Sequence, residues 1–181
     1  MTHPAELSAI DLLGLYRKKA LSPVEAVDAV LGRIASLNPV FNAFRLVDAD
    51  AARAQARQSE ARWQRGAPKG LLDGVPVALK DLLHVQGWPT RRGSLATPDA
   101  PATEDSPAAA RLREHGAVLL GKTNTSEFGW KGLHPIVALS RKVYQKGVTL
   151  SKRAMRAVEA RLERHPKLPY WDILIRPASR A

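Results

Sequence analysis

The stretch Gly74-Val-Pro-Val-Ala-Leu-Lys80-Asp81 decides how the rest of the chain is read. Val75 to Leu79 is an apolar, β-branched run held between a glycine and a charged pair, which is the pattern of a short buried strand. Downstream, Ser106-Pro107 opens a helix through His115, Gly116 stops it, and Ala117 to Leu120 makes a second apolar strand. Strand, helix and strand in that order specify an α/β sheet. The stretch between the first strand and this helix, Gly87 to Pro107, is rich in Gly, Pro, Ser and Thr and reads as a surface loop.

Working outward toward the amino terminus, the chain turns helical. Ser8 with Asp11 three residues on forms a capping box that opens a short helix through Tyr16. Ser22, Pro23 and Glu25 repeat the signal with a hydroxyl cap, a proline in the first turn and a carboxylate at the third position. Behind them Val27, Val30, Leu31, Ile34 and Leu37 recur at helical spacing, and Asn38-Pro39 is expected to end the run. From Asp48 to Arg65 an alanine-rich segment carries Arg53, Arg57, Arg62 and Arg65, which suits a mostly exposed helix with a solvated basic face. Apart from Trp63, no aromatic and no glycine interleaves with those arginines, which argues against a nucleic-acid stripe.

Two lysines invite a chemical reading. Gly116-Ala-Val-Leu-Leu-Gly121-Lys122-Thr123 satisfies the spelling of a phosphate-binding P-loop. The four residues between its glycines are Ala, Val, Leu and Leu, which belong inside a strand; a phosphate cradle needs a loop whose successive N–H groups wrap the anion. The P-loop reading is therefore set aside. Lys80 closes the apolar run Val75 to Leu79, and an ammonium there is costly unless it is paired or gives up its proton. A neutral amine beside a hydroxyl can take the hydroxyl's proton and make a nucleophile. The plainer alternative is that Lys80 emerges into solvent or pairs with Asp81.

Composition closes off several classes. The 181 residues, 45% of them hydrophobic, suit a single core of ordinary size. With no cysteine, disulfides, thiolate metal sites and cysteine nucleophiles are excluded, and a reducing cytoplasm is the expected setting. The five histidines show no pair at metal-ligand spacing, so neither metal nor cofactor is expected. No apolar run reaches the roughly 20 residues of a membrane span. The first residues lack the basic-then-apolar order of an export signal.

The formal charge of +11 is unevenly spread. Up to Gly132 there are 17 basic and 14 acidic residues; from Leu133 onward there are 11 and 3. A boundary is expected there, with residues 1–132 as one unit and 133–181 as an unrelated basic tail. In that tail Ser151 to His165 reads as a basic amphipathic helix with Met155, Val158 and Leu162 on its apolar face, and Trp171 to Ile175 as a strand. The alternative function is a nucleic-acid-binding or interaction remnant using Lys142, Lys146, Lys152, Arg153, Arg156 and Arg161; an unselected solvated tail is the blander competitor.

Several separate motifs, in order, resemble the amidase signature family. They are Leu71-Leu-Asp-Gly-Val-Pro-Val-Ala-Leu-Lys80-Asp-Leu, Gly87, Arg92-Gly93-Ser94, Asp105-Ser-Pro-Ala-Ala-Ala-Arg-Leu-Arg113, and Gly116 through Asn124-Thr-Ser-Glu127-Phe128. The resemblance runs from about Ser8 to Gly132. It implies an α/β fold with amino-terminal helices and the opening strands of a mixed sheet, and a serine hydrolase of carbon–nitrogen amide bonds using a Ser, cis-Ser, Lys triad. It implies that Lys80 is the base lysine, that Asn124, Glu127 and Phe128 support the site, and that the substrate is a small-molecule amide. The tail is similar, over a short and loosely spaced stretch, to the end of certain insertion-element transposases.

Both triad serines belong, in that family, to a glycine- and serine-rich segment downstream of the Lys122 block. This chain contains no Gly-Gly and no Ser-Ser pair, and after Gly132 its serines are only Ser140, Ser151 and Ser179, none with a glycine neighbour. The expectation is an amidase-like α/β fragment, truncated before its nucleophile, inactive alone because triad members act as a unit, and with bare sheet edges.

Overall fold

The computed structural model describes residues 3–129. The tail helix and tail strand expected from the sequence, and the boundary at Gly132, lie outside these residues. Four α-helices and three strands follow one another as α1 (Ala9–Arg17), α2 (Pro23–Phe41), β1 (Phe44–Val47), α3 (Ala49–Gln64), β2 (Pro76–Lys80), α4 (Pro107–Glu114) and β3 (Val118–Thr123), with 3₁₀ turns at Pro4–Glu6 and Glu127–Gly129. Among the described residues no helix is long and apolar enough to cross a membrane.

Both capping boxes form. The Ser8 hydroxyl accepts from Asp11 N and the Asp11 carboxylate accepts from Ser8 N; Ser22 and Glu25 do the same at the start of α2. The end of α2 differs from expectation. Pro39 sits inside the helix, which runs on to Phe41 and stops at Asn42 in the left-handed region at φ 49°. The last turn tolerates the proline because Asn42 N donates to Asn38 O, while the Asn38 side chain donates to Phe44 O and accepts from Phe44 N. Those bonds tie the helix end to β1, a strand whose four residues gave no separate signal in the sequence.

The sheet order is β1-β3-β2, with β3 antiparallel to β1 and parallel to β2. Its central strand is covered on both faces. On one, Val118 and Leu120 pack with Val27 and Leu31 of α2 and with Ala52 and Ala56 of α3. The short alanine side chains let α3 approach the sheet closely, so this helix is half buried rather than mostly exposed. On the other face Leu119 packs with Leu79, Val85, Trp88 and Ala109. The segment 87–107 is thus more than a surface loop, since it folds back through bridges Gln86↔Ala102 and Pro89↔Pro101 and puts Trp88 into the core. A third cluster, Leu12, Tyr16 and Ala26, seats α1, and the Tyr16 hydroxyl donates to Gly74 O.

Both strand pairings contain a bulge. Along β2 and β3 the register steps from Val77↔Leu119 to Ala78↔Gly121, so Leu120 is extra; along β1 and β3 it steps from Phe44↔Thr123 to Leu46↔Lys122, so Arg45 is extra. Gly121 is required where these irregularities meet. A Cβ on it would lie 2.0 Å from Leu46 O, at a φ of 152°.

Candidate functional site

Lys80 is the last residue of β2, a strand at one edge of the sheet. Residues paired in a parallel ladder share a face. Pro76 pairs with Val118, which packs under the helices, so Pro76, Ala78 and Lys80 face the helical layer. On that face Ala78 and Lys80 are exposed. Lys80 does not pair with Asp81, and its ammonium has no carboxylate partner among the described residues.

Asp81, one residue on, points to the opposite face and is 1% exposed. Its N–H extends the ladder by donating to Thr123 O at 3.0 Å. Its Oδ1 accepts from Arg91 N at 3.3 Å and lies 3.5 Å from Lys122 Nζ; its Oδ2 has no hydrogen-bond partner and lies 3.7 Å from Arg45 Nε. Arg45 continues to Asp99 at 2.6 Å, and Arg91 approaches the same carboxylate at 3.6 Å.

Lys122 is fully buried. Its ammonium donates to Pro89 O at 2.9 Å and to the Thr90 hydroxyl. Burial pushes the ammonium below the usual lysine range, with Asp81 opposing the shift and Arg45 adding to it. The segment Val118–Thr123 is strand throughout, so Lys122 opens no helix and wraps no phosphate. Simple alternation from Leu119 would place Lys122 beside Leu120, under the helices. The extra residue at Leu120 reverses this and brings Lys122 to the face of Leu79 and Asp81.

The other residues that the family resemblance singled out form a support under the loops. Asn124 Nδ2 donates to Asn42 O at 2.5 Å, and Asn124 N to Ala43 O at 2.8 Å. Glu127 Oε1 accepts from the Ser94 hydroxyl at 2.6 Å. Phe128 N donates to Arg92 O at 2.8 Å, and its side chain is exposed. Arg92, Gly93, Phe128 and Gly129 all have positive φ, so two left-handed turns meet here. Arg45 and the burial of Lys122 were missed in the sequence; a lysine inside an otherwise apolar strand was the available signal for the second.

A mixed three-stranded sheet with α2 and α3 on one face and α4 on the other is the α/β core of a class of protein. The chain belongs to the Amidase family, whose match spans residues 25–134. It is 42% identical over 128 residues to a glutamyl-tRNA(Gln) amidotransferase subunit of Salinispora tropica, covering 71% of this chain and 26% of that protein. It is 33% identical over 144 residues to the indoleacetamide hydrolase of Bradyrhizobium diazoefficiens, covering 78% and 28%. The peptide amidase of Stenotrophomonas maltophilia superposes with a TM-score of 0.63 at 34% identity, over 68% of this chain and 26% of that one. The chain spans about a quarter of the length of the curated relatives it matches.

Proposed function

We propose that this chain carries the base-bearing part of a carbon–nitrogen amide hydrolase. Lys80 is the base lysine, taking a proton by way of a bridging serine from the serine that attacks the amide carbonyl. The support for this is the agreement of two facts: the family match covers Lys80, and the fold leaves that ammonium on an open strand end with no carboxylate partner among the described residues. The serine pair belongs to a glycine- and serine-rich segment of which these 181 residues hold no copy. The chain by itself is therefore inactive, because a base without its nucleophile keeps little of a triad's advantage.

Residues 1–132 form the amidase-like unit and 133–181 a separate basic tail, and the cytoplasm is the setting. The substrate class is a small-molecule amide. Hydrolysis of a panel of aryl and aliphatic amides, measured for the full chain beside Lys80→Ala, tests the reading. No turnover from either protein is expected. Turnover that Lys80→Ala abolishes would overturn the inactivity while keeping the base; turnover that survives Lys80→Ala would overturn the base.

A further inference from the structure

Both sheet irregularities serve one carboxylate. The extra residue in β1 is Arg45, and its guanidinium reaches Asp81 Oδ2 at 3.7 Å. The extra residue in β3 is Leu120, and it turns Lys122 to the face where its ammonium lies 3.5 Å from Asp81 Oδ1. Without either bulge, that cation would face another way. A strand of five residues at a sheet edge has few contacts to hold its end. Here the end is held at Asp81, by the bond to Thr123 O, by the Arg91 amide and by the two cations, while Lys80 O accepts from both Leu82 N and Leu83 N.

We propose that Asp81, Lys122 and Arg45 are positioning residues for Lys80: they lock the carboxyl end of β2 so that strict alternation sends the Lys80 side chain out on the opposite, uncovered face. This rests on the reading of Lys80 as the base. The network joins β1, β3 and the 89–99 segment to the residue directly after Lys80, whereas the buried pair of Arg62 with Asp73 lies at the far end of the connection into β2. Lys122, whose motif imitates a phosphate site, thereby has a role that requires no nucleotide.

Amide hydrogen exchange and the Lys80 side-chain carbon resonances, recorded on the full chain, test this. Asp81→Asn is expected to speed exchange at Lys80, Asp81 and Leu82 by on the order of tenfold or more, with Val27 and Leu31 in α2 unchanged, as a local opening does. The Lys80 resonances broaden or move. Asp73→Asn is the control, and it should leave the Lys80 resonances in place. Equal acceleration at Lys80 and Val27, or the same Lys80 response to Asp73→Asn, would reduce the network to ordinary stabilisation and overturn the proposal. If Asp81→Asn does not fold, Arg45→Gln, at a partly exposed site, is read the same way. None of these readouts depends on Lys80 acting as a base, so failure of the proposed function, read in the amide assay, is distinguished from failure of the positioning.

Discussion

Two buried aspartates sit at opposite ends of one short segment and live in different surroundings. Asp73, before β2, is saturated: Arg62 donates to it twice, at 2.9 and 2.5 Å, and Lys69 N donates at 2.7 Å. Burial alone would raise its pKa, but these donors hold it below the ordinary value of 3.8. Asp81, after β2, faces two cations across 3.5 and 3.7 Å and keeps one oxygen without a hydrogen bond. The first arrangement closes the turn into β2 and leaves nothing over. The second is looser and touches the backbone that carries Lys80. Rigidity and candidate chemistry are thus divided between the two ends of a five-residue strand.

The largest effect is expected at the saturated end. Asp73→Ala strands Arg62 and should cost about 3–5 kcal/mol, read from urea unfolding of the full chain. Asp81→Ala should cost less, about 1–3 kcal/mol, because Lys122 keeps Pro89 O and Thr90 as partners. Equal losses in the two variants would erase the contrast.

Titration sharpens it from another side. Asp73, with a folded pKa below 3.8, contributes stability that is complete above that value and is lost as pH falls through the folded pKa; Asp73→Asn should flatten this acid limb. Lys122, a cation with a depressed pKa, moves stability in the same direction with pH, but because its charged form is penalised rather than favoured. Its charged form is disfavoured in the fold, so stability rises with pH from its folded pKa up to 10.5, and Lys122→Met should remove that rise. Unfolding midpoints across acid and alkaline buffers check both. The smallest effect is expected at Lys80 itself: exposed and unpaired, Lys80→Ala should stay within about 0.5 kcal/mol of the parent in the same urea assay. A larger loss would mean that Lys80 is a structural residue.

Much of the fold was legible because local chemistry specifies it. Ser22 and Glu25 satisfy the first N–H groups of α2 from within four residues, so no distant partner had to be known. Pro39 misled for the complementary reason. Its missing N–H is an absolute local fact, but whether the helix ends there depends on Asn38 finding Phe44, a contact made only in the folded chain. In the same way, Arg62 read as one of four solvated arginines, and it became the partner of a carboxylate eleven residues away.

The candidate site divides along the same line. Apolar runs, caps and the family motif placed Lys80 at a strand end and showed that these 181 residues hold no glycine–serine segment, since both depend only on which residues stand in which order. The sheet order, the exposure of Lys80 and the burial of Lys122 came from tertiary structure alone. Side-chain direction in a strand follows a period of two, and a single extra residue reverses it. The bulges at Arg45 and Leu120 leave no mark in composition, yet they decide which cations face Asp81.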